Sequence, residues 1–174
     1  MKFYQVPRFV FSPIANDNLC AGSLLLPLDF DGSLEQEIRR YGLTDIVSNK
    51  QEESLLDHEW WSRQKNNVDW VVAVTQGSEY TEWILDYGLQ IARKGLCVLD
   101  RLTFLEPTRK RQAFLEGSSL TNLKILSPRP SFRADGKQSK DSVTSAWFVF
   151  RIAGAAEVNT KIDFEVRWDR PKSI

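Results

Sequence analysis

Residues 68–75 read Val-Asp-Trp-Val-Val-Ala-Val-Thr, a nearly unbroken apolar run. A strand with one face in water alternates apolar and polar residues; a strand without alternation needs cover on both faces. The run is short and rich in β-branched residues, which suits a strand better than a helix. It therefore demands a layered α/β fold with this segment at the centre. The next stretch supports that demand. Tyr80–Gly95 spaces Trp83, Ile84, Tyr87 and Ile91 along one helical face, with Gly95 placed to close the helix. Between strand and helix lies Thr75-Gln76-Gly77-Ser78, where α/β proteins often place their chemistry.

The same alternation runs through the chain. Ser23–Leu28 is a short apolar run ending in the acidic turn Asp29-Phe30-Asp31-Gly32-Ser33. Leu34–Tyr41 places Leu34, Ile38 and Tyr41 on one helical face before Gly42, a C-cap residue. Leu43–Val47 reads as a second strand and Leu55–Lys65 as a short helix. Leu96–Leu102 is a strand, Pro107–Gly117 a helix with Pro107 in its first turn, and Leu120–Leu126 a strand. A long, polar, basic loop follows over Ser127–Ser142. Two aromatic-rich strands, Val143–Ile152 and Lys161–Trp168, close the chain, and their connection permits an antiparallel pair. Strands alternating with helices imply a mostly parallel sheet, and the closing strands imply an antiparallel C-terminal edge. With 174 residues and no internal repeat or linker, a single domain is expected over 23–170. Residues 1–22 would form an N-terminal extension packing on it, and 171–174 a tail.

Composition narrows the function classes. The net charge is zero, but residues 1–80 carry a net −5 and residues 81–150 a net +4. A basic half can face phosphates, or the asymmetry can belong to a mixed solvated surface. Cys20 and Cys97 are far apart in sequence and make no disulfide framework; each is read as a small core residue. With one histidine, His58, no cluster has metal-ligand spacing, so no metal is expected. No apolar run approaches membrane-spanning length, and the first residues make a poor signal peptide. A cytoplasmic location and no membrane partner are expected.

Several segments together resemble one family. Asp69-Trp70-Val71-Val72, the stretch ARKGLCVLDRLTFLEPTRKR, then ILSPRPSFRADGK and SAWFVF follow in order over about residues 68–152. LLLPLDFDGSL and LTDIV add a looser match ahead of them. In this the chain resembles class I S-adenosylmethionine-dependent methyltransferases, and among them the DNA N-6 adenine methylase-like proteins of bacteria and phages. The resemblance implies a Rossmann-like sheet of seven mostly parallel strands with one antiparallel strand near the edge. It implies S-adenosylmethionine as cofactor and DNA as a partner.

It also implies site residues. The family's Asp-Gly pair, in the loop after its first strand, falls on Asp31 and Gly32, with Asp29 beside them. Leu28, Asp29 and Phe30 replace residues that are usually small, and Phe30 would fill cofactor space. On the residues alone the loop also reads as a strand-to-helix turn, with Ser33 or Asp31 as N-cap. Asp45 matches the acid near the ribose hydroxyls, and Asp57 the acid that holds the adenine amine. Arg129, Phe132 and Arg133 of the basic loop are the candidate nucleic-acid contacts, with Phe132 stacking on a base. The loop reads equally as solvated and anchored by Phe132.

The chemistry turn departs from the family. An aromatic amine is a poor nucleophile, so the family places Asn or Asp, two prolines and an aromatic residue to accept its protons and hold its base. Here the position is taken by Thr75, Gln76, Gly77 and Ser78. The expectation is a methyltransferase-like scaffold without amine-methylating activity, serving a binding or structural role. The alternative is an active enzyme working through a divergent turn.

Overall fold

The structure, a computed structural model, describes residues 5–76, 79–106, 108–118, 120–132, 143–152 and 159–170. Helix α1 (Ser12–Asn16) leads into strand β1 (Leu24–Leu26) and helix α2 (Ser33–Arg39). Strand β2 (Ile46–Ser48) is followed by a 3-10 turn (Glu52–Leu56) and helix α3 (His58–Gln64). Then come β3 (Trp70–Val74), α4 (Thr81–Ile91) and β4 (Gly95–Arg101). After a second 3-10 turn (Leu102–Leu105), α5 (Arg109–Gly117), β5 (Leu120–Ser127), β6 (Ser145–Arg151) and β7 (Lys161–Val166) complete the chain.

The seven strands form one sheet in the order β2-β1-β3-β4-β6-β5-β7. All neighbours are parallel except β6, which runs antiparallel to both β4 and β5. The core lies in two layers, one on each face. Val10, Phe11, Ile14, Leu26, Val72, Trp147 and Trp168 fill the first. Leu25, Trp61, Val71, Ile84, Val98, Phe148 and Phe150 fill the second. Trp70–Ala73 are buried without alternation, as the opening run of the sequence requires. The N-terminal residues belong to this core: Trp147 Nε1 donates to the Val10 carbonyl at 2.8 Å.

Several boundaries differ from the sequence reading. The stretch 55–65 divides because Asp57 accepts the Glu59 N–H at 2.8 Å, ending the 3-10 turn and capping α3. Gly95 does not close α4 but opens β4. A Cβ there would lie 2.2 Å from the Phe150 carbonyl oxygen, so close strand contact requires glycine. Thr108 caps α5 by accepting the Arg111 N–H, whereas Pro107 lies outside the described residues. The two closing strands do not pair with each other. β6 is buried over six of its seven residues and hydrogen-bonded on both sides, so it has no free edge; β7 instead joins β5 in parallel.

Candidate functional site

In open α/β sheets the ligand crevice opens at the carboxyl ends of the strands, where the strand order reverses. Here β1 is flanked by β2 on one side and β3 on the other. The crevice is therefore framed by residues 27–32 after β1, 49–51 after β2 and 75–76 after β3.

The loop after β1 is organised by Asp29, 1% exposed. Its carboxylate accepts the Leu34 N–H at 2.8 Å and the Glu35 N–H at 3.1 Å, two first-turn donors of α2. It also accepts the Ser48 hydroxyl at 3.2 Å and meets Lys50 Nζ at 3.4 Å. Asp31 accepts both the N–H and the hydroxyl of Ser33, at 3.0 and 2.8 Å. Gly32 takes a left-handed φ of 77° and leaves room for Lys50 Nζ, which a Cβ would approach to 3.1 Å. Leu28 and Phe30 are partly buried against the second core layer. The buried acid thus already holds two backbone amides, a hydroxyl and an ammonium.

Sequence matching also placed Asp45 at the crevice, and the fold corrects this. Strand β2 begins at Ile46, after Asp45, whose carbonyl accepts the Leu24 N–H at 2.8 Å. Asp45 thus lies at the amino ends of β1 and β2, the opposite edge of the sheet. Ser48, Asn49 and Lys50 occupy the carboxyl end instead. Asn49 Nδ2 donates to the Pro27 carbonyl at 3.1 Å, tying the two loops together. Ser48 also donates to Glu35 at 2.7 Å. That hydrogen bond, with those from Arg39 and Lys50, lowers the Glu35 carboxyl to about 2. Asp57 is an exposed helix cap paired with Arg63 at 3.7 Å.

The turn after β3 is polar and buried. Thr75 is 1% exposed, and its N–H and hydroxyl both donate to the Leu99 carbonyl, at 3.0 and 3.3 Å. Gln76 is 6% exposed and holds φ at 50°, unusual for a residue with a side chain. Its Oε1 accepts the Ser145 hydroxyl at 3.2 Å, while its Nε2 has no partner among the described residues. Gly77 and Ser78 lie outside the described residues. Asp100, at the carboxyl end of β4, is also buried and accepts the Thr81 hydroxyl at 3.2 Å. Sequence reading missed Asp100 and Ser145. Asp100 had a signal, a single acid inside the apolar run of β4; Ser145 had none. Farther along, the Tyr80 hydroxyl donates to Glu52 at 2.5 Å, joining the loop after β2 to the start of α4.

Of the basic loop, Arg129 is exposed and Arg133 lies outside the described residues. Phe132 is 3% exposed within the first core layer, so it anchors the chain and cannot stack on a base. Three carboxylates elsewhere, Asp17, Asp163 and Glu165, stand close enough together to suggest a cation site. The cation among them is Lys124, whose Nζ meets all three.

No protein-family model and no curated protein matches the chain. Solved structures do. A modification subunit assigned to a type I restriction enzyme of Vibrio vulnificus aligns with TM-score 0.51 at 11% identity, over 86% of this chain and 44% of that one. A chain of a type I restriction–modification system aligns with TM-score 0.46 at 12% identity, over 90% of this chain and 42% of that one. A protein assigned as an O-methyltransferase from Agrobacterium tumefaciens aligns with TM-score 0.46 at 12% identity, over 88% of this chain and 81% of that one. The chain spans less than half the length of the two restriction–modification proteins. At these identities the likeness is one of fold. The fold is a single α/β, Rossmann-like, class I methyltransferase-like domain. Among the described residues, no helix is long and apolar enough to cross a membrane.

Proposed function

We propose that this chain uses a methyltransferase fold for binding, without methylating an amine. The observation that carries this reading is the engagement of polar groups around the crevice. Asp29 is held by α2, Ser48 and Lys50, and Gln76 Oε1 accepts from Ser145. An amine-methylating site needs acceptors free to take the amine protons, and these two side-chain acceptors, among the described residues of the turns, are already engaged. DNA is the partner class to test first. Arg129 is exposed just beyond β5, at the same carboxyl edge of the sheet as the crevice, and a fold neighbour is a restriction-enzyme modification subunit.

The test is incubation of the purified protein with labelled methyl donor and adenine-containing DNA. No transferred label is expected, and clear methylation would overturn the reading. A gel-shift titration at rising salt should show DNA binding that weakens steeply, as phosphate contacts require.

A second reading, an active methyltransferase with a divergent turn, is favoured by Gln76. A left-handed backbone and an unpartnered buried amide are features that functional sites retain. This reading predicts S-adenosylmethionine binding of about micromolar strength, roughly −8 kcal/mol. A calorimetric titration silent at millimolar cofactor would remove it.

A further inference from the structure

Strand β7 closes one edge of the sheet, and its two faces are unlike. Asp163 and Glu165 point to the first core layer, where they meet Lys124 at 2.8 and 2.9 Å. Lys124 is 1% exposed and is also paired with Asp17, so β7 is held to the sheet by a buried cation. On the other face Ile162, Phe164 and Val166 are 58%, 70% and 68% exposed. Helix α5 covers β6 on that side, with Phe114 5.3 Å from Phe150, and leaves the β7 stripe bare.

Edge strands normally discourage pairing by being short, by bulging, or by carrying proline or inward charge. β7 has six residues in regular register with β5 and no proline; its inward charges, Asp163 and Glu165, are matched by Lys124, and its edge is the end of the sheet among the described strands. A regular edge beside a bare apolar row is a template for another strand.

We propose that the partner is a second copy of this chain, joined by antiparallel pairing of β7 with β7 about a two-fold axis at Asp163. Directly opposed residues in antiparallel strands share a face, so a symmetric pair must be centred on one residue. Centring on Phe164 sets Asp163 against Glu165, two unfavourable pairings over the two halves. Centring on Glu165 draws on Arg167, which has left the strand at φ 62°. Centring on Asp163 sets Lys161 against Glu165 and Ile162 against Phe164, each twice. The two Asp163 carboxylates then meet at the axis, each already neutralised by Lys124 and by Lys161 at 3.3 Å. Among the registers that pair five residues of β7, charge and apolar pairing agree in this one. The proposal is independent of whether the crevice binds cofactor or DNA.

Sedimentation velocity of the full chain, over a range reaching about 100 µM, tests it. The wild type should form a dimer. Phe164→Lys should sediment as a monomer with unchanged circular dichroism and melting temperature, because residue 164 lies outside the core. Lys161→Glu sets two carboxylates opposite each other and should weaken the dimer by about tenfold. A wild-type monomer throughout the range, or a dimer indifferent to Phe164→Lys, would overturn the proposal. So would a dimer tightened by Lys161→Glu, since the register centred on Asp163 loses its two Lys161–Glu165 pairings in that change.

Discussion

The turns after β1 and β3 flank the same crevice, yet they use their polar groups in opposite ways. After β1, the buried carboxylate of Asp29 meets two helix amides, a hydroxyl and an ammonium, and the exposed Asp31 folds onto Ser33. After β3, Gln76 combines a left-handed backbone with an amide nitrogen that has no partner among the described residues. The first turn has become an anchor for α2 and β2. The second keeps strain and an unmatched donor, a combination that persists only where surrounding structure enforces it. Shared position in the fold therefore does not mean shared fate. The acid-rich turn, which looks more like a binding site in sequence, is the one whose buried acid is committed to structure.

The strongest way to break this contrast is Asp29→Ala. If Asp29 is an anchor, its removal leaves the buried Leu34 N–H and the part-buried Glu35 N–H without their acceptor, and stability falls by about 3 kcal/mol. For a chain of this size that lowers the melting temperature by roughly 9 °C. Any affinity for S-adenosylmethionine should not depend on the variant once both proteins are folded. A small change in melting temperature, together with lost cofactor binding, would reverse the assignment.

Gln76 gives a smaller effect with an unusual sign. In strands and helices, glycine is less stable than alanine. At φ 50° the order inverts, because alanine keeps the strain and glycine does not. Gln76→Gly should exceed Gln76→Ala in stability by about 1 kcal/mol in urea unfolding. Both lose the Ser145 contact equally, so the difference isolates the backbone. Equal stabilities would mean that the turn relaxes and stores no strain.

How much of this was legible beforehand depends on the kind of signal. β3 and its cover were readable because burial on both faces imposes an unbroken apolar run. The left-handed Gln76 and the pairing of β5 with β7 were not, since neither leaves a local composition mark. Asp45 was misplaced because three residues of strand carry too little pattern to fix where β2 starts. Phe132 was readable only as one of two options, a stacking ring or an anchor, until the packing around it was known. The carboxylate of Asp29 was visible, but its partners lie at residues 34, 35, 48 and 50, joined only by the fold.

The anchor around Asp29 also has a pH signature through Glu35. Hydrogen bonds from Ser48, Arg39 and Lys50 hold the Glu35 carboxyl at about 2, below its ordinary 4.5. A carboxyl lowered on folding stabilises the native state above its unfolded pKa, and that contribution fades as pH falls from about 4.5 towards 2. Melting temperatures across this acid range should fall faster for the wild type than for Glu35→Gln. Parallel curves would show that the Ser48–Glu35–Lys50 cluster adds nothing to the turn after β1.

The last and smallest effect tests a bridge between the two sides. Tyr80, at the start of α4, donates to Glu52 in the loop after β2, and that hydrogen bond raises the phenol to about 12 from 10.0. A phenol raised on folding favours the native state below its unfolded pKa, and the benefit is lost as pH climbs from 10.0 towards about 12. Tyrosinate absorbance should show one phenol titrating late, and Glu52→Gln should bring it back towards 10.0. If the late phenol persists in Glu52→Gln, the two loops are not coupled through this bond. Among the described residues, Thr75 and Gln76 are then held from the β4 and β6 side, by Leu99 and Ser145.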